Sequence, residues 1–368
     1  MIRQRQPGSR VRRGTLGLIF LLSVALTGSA TVPLTVAANS GLLGGGSAAM
    51  IDLAMQFAPS PSFWRMLDQS EAISYGTDNR LTFLLLGSDY RTHKPAAGER
   101  TDMITLVTIN RSTKRMAAAG FPRDLANIPL PNGTIHTGRI NELLKKYTAS
   151  KGRAGAAQEV RKIFAHLTKT EIDYVAVMRF NGFNNMMDEL GSIRVTTRPA
   201  RDPKLQDGVP VGVLFPSATN WELWGNGERC RGHFRFTTDT SLPGYYCHRA
   251  LMYARTRKGP ANSDFKRQNR GIDIVMAGIK KATGASYGSA KIGSMVSKAQ
   301  AQGVEFYSSM PMTVANATEL YNLMKGATLT KRVVFKPKTY ATKISGTAKY
   351  SIKVAAVRNW INNNFKNP

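Results

Sequence analysis

The segment Leu81-Thr-Phe-Leu-Leu-Leu86 leaves almost nothing for water on either side, and it stops at Gly87. A strand with one wet face alternates apolar and polar residues. A run without alternation is a strand buried on both faces, inside a sheet covered by further layers. Met103–Ile109 and Arg115–Phe121 read as two more strands joined by the turn-like Asn110-Arg-Ser-Thr, and Asp173–Phe180 as a fourth. Apolar residues recur at helical spacing over 139–147, 155–167 and 183–190, the last ended by Gly191, and again over 249–257 and 264–281. Strands alternating with helices predict the α/β class, a sheet flanked by helices. After about residue 285 no motif is readable until a strand-like Val333-Val-Phe335 and a helical Val354–Phe365.

Charge narrows the partners. The 368 residues carry 51 Lys plus Arg against 23 Asp plus Glu, a net charge of +28, which calls for an anionic partner. Five arginines (Arg3, Arg5, Arg10, Arg12, Arg13) precede a charge-free run from Gly14 to Ala38. That run is long enough to span a bilayer, and the arginines should stay in the cytoplasm. Val36-Ala37-Ala38 also suits a signal peptidase, so a cleaved signal is the competing reading. Either way the rest of the chain is expected outside the cell membrane, and nucleic acid is not an expected partner. The organisation predicted is a cytoplasmic basic tail (1–13), a transmembrane anchor (14–38) and a Gly-rich linker (39–79). A main domain (80–345) and a C-terminal helical tail (346–368) follow.

Residues 200–247 break the rhythm of the main domain with Pro, Gly, Trp221, Trp224 and both cysteines, and read as a long loop or small β insertion. Cys230, His233, Cys247 and His248 could be counted as four zinc ligands. Adjacent Cys247 and His248 would, however, point to opposite faces of a strand. A disulfide between Cys230 and Cys247 is the better expectation for an exported domain. Five scattered histidines with no H-E-x-x-H argue against a zinc protease.

Four charged blocks border these elements: Gly87-Ser-Asp89-Tyr-Arg91, Arg100-Thr-Asp102, Phe121-Pro-Arg123-Asp124, and Arg255-Thr-Arg257 with Asp264-Phe-Lys-Arg267-Gln-Asn-Arg270. Asp89 and Arg123 fall at carboxyl ends of strands, the usual ligand edge of an α/β sheet. Arg267 and Arg270, three apart, should share a helical face with Asp264 one turn earlier. Two carboxylates suit a hard divalent cation, Mg²⁺ or Mn²⁺, which completes its shell with phosphate oxygens. Arginine forks suit the phosphates themselves. Each block also has a plain reading taken singly. The aspartates could be caps or turn residues, Arg123-Asp124 a surface ion pair, and the last arginines a solvated helix face.

In this order the blocks resemble the LytR-CpsA-Psr cell-wall glycopolymer transferases. The matching segments are LTFLLLGSDYR, ERTDMITLVTIN, GFPRDLANIP, GRINELLKKY, IDYVAVMRFNGFNNMMDELGSI and HRALMYARTR…NSDFKRQNR. The resemblance implies a central mixed sheet flanked by helices, behind an N-terminal membrane helix. It implies transfer of an anionic glycopolymer from a polyprenyl-pyrophosphate carrier to peptidoglycan, with metal aspartates at Asp89 and Asp102. Pyrophosphate-binding arginines then fall on Arg91, Arg100, Arg123, Arg255, Arg257 and Arg267, and Arg270 shares their helix face. The lipid tail would lie in an apolar tunnel lined by helices 139–147, 155–167 and 183–190. Asp89 is the expected proton acceptor, and Asp124 should orient an arginine. One departure is Gly271 after Arg270, where the family usually has Gln, which leaves Gln268 as the substitute contact. Two rivals stay open on the sequence alone: a phosphatase using the same site with water, and a non-enzymatic polyanion-binding protein.

Overall fold

The computed structural model describes residues 79–90, 98–190 and 192–197, short pieces between 200 and 224, and 248–255 and 264–284. It also describes residues 305–368 except 312 and 367, and the single positions 73, 297 and 301. Its centre is a six-stranded sheet. We number the strands β1 (Arg80–Ser88), β2 (Thr101–Asn110), β3 (Arg115–Gly120), β4 (Tyr174–Met178), β5 (Phe306–Ser308) and β6 (Thr328–Val334). Their spatial order is β5-β4-β1-β2-β3-β6. β1–β2, β2–β3 and β4–β5 run antiparallel, whereas β1–β4 and β3–β6 run parallel, so the sheet is mixed.

The unalternating run of β1 finds cover on both faces. Leu81, Phe83 and Leu85 join Val107, Ile109 and Ala176 on one side; Leu84 and Leu86 join Ile104, Leu106 and Val177 on the other. The helices are α1 (Leu143–Thr168), α2 (Phe180–Leu190), α3 (Ala250–Arg255), α4 (Asp264–Thr283), α5 (Val314–Met324) and α6 (Val354–Phe365). The first face takes α2 to α5 through Met186, Tyr253, Ile272, Val275 and Leu320, and the second takes α1 and α6 through Ile163, Phe164, Val357 and Phe365. The two helical segments expected over 139–147 and 155–167 are one run broken at Gly152, whose φ of 64° only glycine adopts without strain.

That layering corrects the expected tunnel lining. Leu143, Leu144, Val160 and Ile163 pack under the sheet, on the face opposite α2 and α4, so 139–147 and 155–167 do not share a space with 183–190. The segment 346–368, expected as a tail, also belongs to the body. Tyr350–Ile352 pairs with both Ala341–Lys343 and Leu125–Ala126, and Val357, Ile361 and Phe365 are fully buried. β5 and α5 had no counterpart in the sequence reading. Within 200–247, the described pieces are short β segments, the longest of them Ala218–Trp224 paired with Ser192–Thr197. No helix among the described residues is long and apolar enough to cross a membrane, and residues 14–38 lie outside them.

At the far edge of the sheet, burial pushes the Asp173 carboxyl up to about 6, although it accepts a hydrogen bond of 2.7 Å from the Thr82 amide. Because the folded value is raised, its contribution to stability is full below about pH 3.9 and is lost as pH rises through about 6. Stability measured against pH should therefore lose that falling component in an Asp173→Asn protein, while a slope that persists unchanged would locate the titrating group elsewhere.

Candidate active site at the carboxyl edge of the sheet

Four strand ends deliver the polar groups to one edge. β1 runs into Asp89, β3 into Arg123 through Phe121-Pro122, and β4 into Arg179, while β2, being antiparallel, begins there with Asp102. Asp102 is placed by a β-bulge. Gly87 pairs with Met103 but Ser88 pairs with Thr101, so Asp102 is an extra residue with no partner across the ladder. Bulges re-aim a side chain in this way. The bulge is clamped from α4 by buried Gln268, whose Nε2 donates to the Asp102 carbonyl at 2.9 Å and whose Oε1 accepts from the Ile104 amide at 3.4 Å. Gln268 is thus tied to the strand backbone and does not act as a ligand contact replacing a side chain at 271.

The Asp102 carboxylate is the hub. Arg123 Nη1 donates to its Oδ1 at 3.0 Å, Arg267 Nη1 to its Oδ2 at 2.9 Å, and Asn141 Nδ2 to Oδ1 at 3.4 Å. Asp264, at the start of α4, accepts from the Arg123 amide at 3.1 Å and pairs with Arg267 one turn on. Burial pushes the Asp264 carboxyl up despite the Arg267 and Arg123 charges beside it. For Arg123 burial acts downward, but Asp102, then Asp264 and Asp124, more than offset it and raise its value. Asp124 holds Arg139 at 2.8 Å and lies 3.8 Å from Arg123 Nε. Arg123 Nε and Arg267 Nε are buried with no hydrogen-bond partner among the described residues. Arg123 Nε still faces Asp264 at 3.7 Å and Asp124 at 3.8 Å, so of the two the Arg267 donor is the one left for an anionic oxygen.

A second buried cluster flanks the first. Glu99, only 4% exposed, receives both Nε (3.1 Å) and Nη2 (3.0 Å) of Arg179, and Arg153 Nε lies 3.2 Å away. Burial acts to raise the Glu99 carboxyl, but the Arg179 hydrogen bonds and the two guanidinium charges hold it below the usual glutamate value. The Arg179 guanidinium also stacks on Tyr90 at 3.9 Å. Glu99 and Arg179 sit within the blocks ERTD and VMRF, yet nothing in the spacing shows that they meet across 80 residues.

Behind this charged edge lies a cavity of about 90 Å³ between the sheet and α2, α3 and α4. Leu85, Ala176, Phe183, Leu251, Ile274 and Val275 make it apolar, and Asp102, Arg179, Arg255 and Arg267 stand at its polar end. Arg255 is exposed and stacks on Phe180 at 4.4 Å. Met103 reaches in from the bulge. A Cβ added to Gly271 would come 2.8 Å from its Sδ, so the missing side chain on α4 leaves room for this thioether.

The edge therefore gathers Asp89, Asp102, Arg123, Arg255 and Arg267. Arg100 is exposed beside them, its amide donating to Asp89 Oδ1 at 3.2 Å. Arg270 is not at the edge: it is fully buried, its Nε donates to the Tyr253 carbonyl at 2.9 Å, and burial lowers its value to about 10. Its position on the helix turns it toward α3 instead of the mouth. Arg91, Arg257, Cys230 and Cys247 lie outside the described residues. No group of three or more His, Cys, Asp or Glu among the described residues could enclose a metal. Asp89 and Asp102 stand on adjoining strand ends; both Asp102 oxygens accept from arginines, and Asp89 Oδ1 accepts from the Arg100 amide.

Fold and site together define an α/β/α protein with an apolar cavity that opens onto a charged edge of its sheet. The chain belongs to the LytR_cpsA_psr family, whose sequence model matches residues 65–305. It is 27% identical over 219 residues to the polyisoprenyl-teichoic acid–peptidoglycan teichoic acid transferase TagV of Bacillus subtilis, covering 59% of this chain and 47% of the relative. The chain thus spans about half the length of the curated relatives it matches. The crystal structure of B. subtilis TagV superposes with a TM-score of 0.55 at 19% identity, covering 79% of this chain and 98% of that one. TagT bound to LIIa-WTA superposes with 0.51 at 19% identity, covering 79% and 92%.

Proposed function

We propose that this protein transfers an anionic glycopolymer from a polyprenyl-pyrophosphate carrier to peptidoglycan and forms a phosphodiester link. One observation carries the reading: an apolar cavity ends at Arg179, Arg255 and Arg267 around Asp102, and Arg267 keeps a buried Nε with no hydrogen-bond partner among the described residues. The cavity takes the start of the polyprenyl tail, and Arg123, Arg255 and Arg267 take the diphosphate. The relatives are named teichoic acid transferases, in agreement with this use.

An acceptor sugar hydroxyl attacks the phosphorus that carries the polymer. The new P–O bond forms as the bond to polyprenyl phosphate breaks, and the hydroxyl proton passes to Asp89. Arg123 and Arg267, fixed by Asp102, face the charge that builds on the phosphoryl oxygens; stabilising that charge and holding the reactants in line supply most of the rate. Asp89 and Asp102 would hold Mg²⁺, or Mn²⁺ in its place, which when bound adds positive charge at the diphosphate oxygens. Residues 14–38 anchor the chain, with 1–13 in the cytoplasm and the domain outside; a reporter fused after Pro368 that is active only in the cytoplasm would refute this topology.

Purified protein given lipid-linked donor, with and without peptidoglycan fragments, tests the reaction. Polymer joined to the fragments is the expected product. Polymer released to water alone, at the same rate with or without fragments, would instead make the protein a phosphatase. Gly271→Ala tests the tail site. The added methyl pushes Met103 into the cavity, so KM for the lipid donor should rise several-fold with kcat little changed, and an unaltered KM would place the tail elsewhere.

A further inference from the structure

The last part of the chain, beyond the family match, has an unusual charge distribution. Residues 320–368 contain eight lysines and two arginines and not one acid. Arg332 pairs with Asp273, and Arg358 caps the last carbonyls of α1, at His166 and Leu167. Lys338, Lys343, Lys349 and Lys353 have no carboxylate within ion-pair distance among the described residues. They cluster on one hairpin. Ala341–Lys343 pairs with Tyr350–Ile352, and Lys353 Nζ donates to the Lys338 carbonyl at 2.7 Å. Lys349 Nζ donates to the Thr137 carbonyl at 3.1 Å, and Lys343 Nζ lies 5.0 Å from the centre of the Tyr350 ring.

This hairpin is built onto the active-site edge. The Tyr350 amide donates to the Asp124 carbonyl at 2.9 Å, and Tyr350-Ser351 pairs in parallel with Leu125-Ala126, directly after Arg123-Asp124. Tyr350 packs edge-on against Phe265, the neighbour of Asp264, with centroids 5.8 Å apart. The positive strip therefore starts at the loop that carries Arg123, and none of its residues lines the apolar cavity. Among the described residues the exposed large apolar side chains are Ile135, two residues from the Thr137 that Lys349 reaches, and Val314. A surface that inserts into lipid presents several large apolar side chains beside its lysines, and residues 338–353 themselves present none.

We infer that the hairpin over residues 338–353 is a track for a flexible polyanion, holding the phosphate-rich chain of the donor as it leaves the diphosphate site. The inference deepens the transferase reading by naming what binds next to its mouth, but it is measured without turnover.

Inorganic polyphosphate is the probe. Changing Lys338, Lys343, Lys349 and Lys353 together to Gln should weaken its binding about tenfold or more at about 50 mM salt and flatten the salt dependence. The matching Arg set should keep wild-type affinity. A control set at the exposed Lys162, Lys169, Lys280 and Lys281, changed to Gln, should alter it less than about twofold. Should the Gln set not fold, Lys343→Glu, which alters only a ring contact, must move affinity the same way. Equal losses from the hairpin and control sets would reduce the effect to net charge and overturn the track. Loss of binding to phosphatidylglycerol vesicles with polyphosphate binding intact would overturn it in favour of a membrane-facing surface. Polyphosphate binding is read without donor or acceptor, so wild-type protein that binds it through the hairpin yet forms no transfer product separates failure of the transferase reading from failure of the track.

Discussion

Asp102→Asn should reduce transfer by about 10²- to 10³-fold while the protein remains folded. The substitution keeps the shape and removes the charge to which Arg123 and Arg267 both bind, at 3.0 and 2.9 Å. The amide can accept from one guanidinium but offers its own N–H groups to the other. Two arginines then lose their fixed direction, and the charge-assisted bonds that held them become one neutral bond at best. Asp264 still holds Arg267, so the stability cost should stay at about 1–3 kcal/mol. Single-turnover rates with lipid-linked donor, set beside thermal unfolding, test both halves. Full activity in this variant would show that Asp102 is only a structural partner of the arginines.

Glu99→Gln should have the largest effect on stability. The carboxylate neutralises Arg179 and Arg153, whose side chains are only 12% and 15% exposed. Removing it leaves two guanidiniums of like charge in low dielectric, the case in which breaking a buried pair costs about 3–5 kcal/mol. At roughly 2–4 °C per kcal/mol the fall in Tm should be of order 10 °C. Its pH dependence follows from the depressed folded value. The Glu99 contribution is complete above about pH 4.3, the ordinary glutamate value, and disappears as pH falls through the lower value held by its arginines. The variant should therefore lose part of the acid limb of the stability curve. Transfer should fall as well, because Arg179 reaches the cavity from this cluster. An unchanged Tm would mean that the arginines find other partners in the folded chain.

The sequence carried the strands and the charged blocks well, because a six-residue apolar run and Gly- or Pro-flanked charges have local causes. What it could not carry was the choice of face. Residues 155–167 and 183–190 look alike as apolar periods, and only the crossing order of the sheet puts the first beneath it and the second over the cavity. Arg267 and Arg270 show the same limit: three apart on one helix, one reaches the mouth and the other is sealed against Tyr253, since α3 covers that side. Glu99 with Arg179, and the pairing of Tyr350–Ile352 with Leu125–Ala126, depend on contacts between distant segments with no signature in spacing. The bulge at Asp102 is invisible for a simpler reason. It is a property of two strands in register, and no residue type in Arg100-Thr-Asp102-Met103 demands it.

Gln268 grips the kinked strand end from the same helix that supplies Arg267, Ile274 and Val275. Wall, anion clamp and acidic hub are thereby bolted to one rod. Because the strand end lies inside the sheet and also holds Arg123, the helix that lines the cavity is moored to the sheet's interior, and repacking Ile274 or Val275 should be felt at the acidic hub.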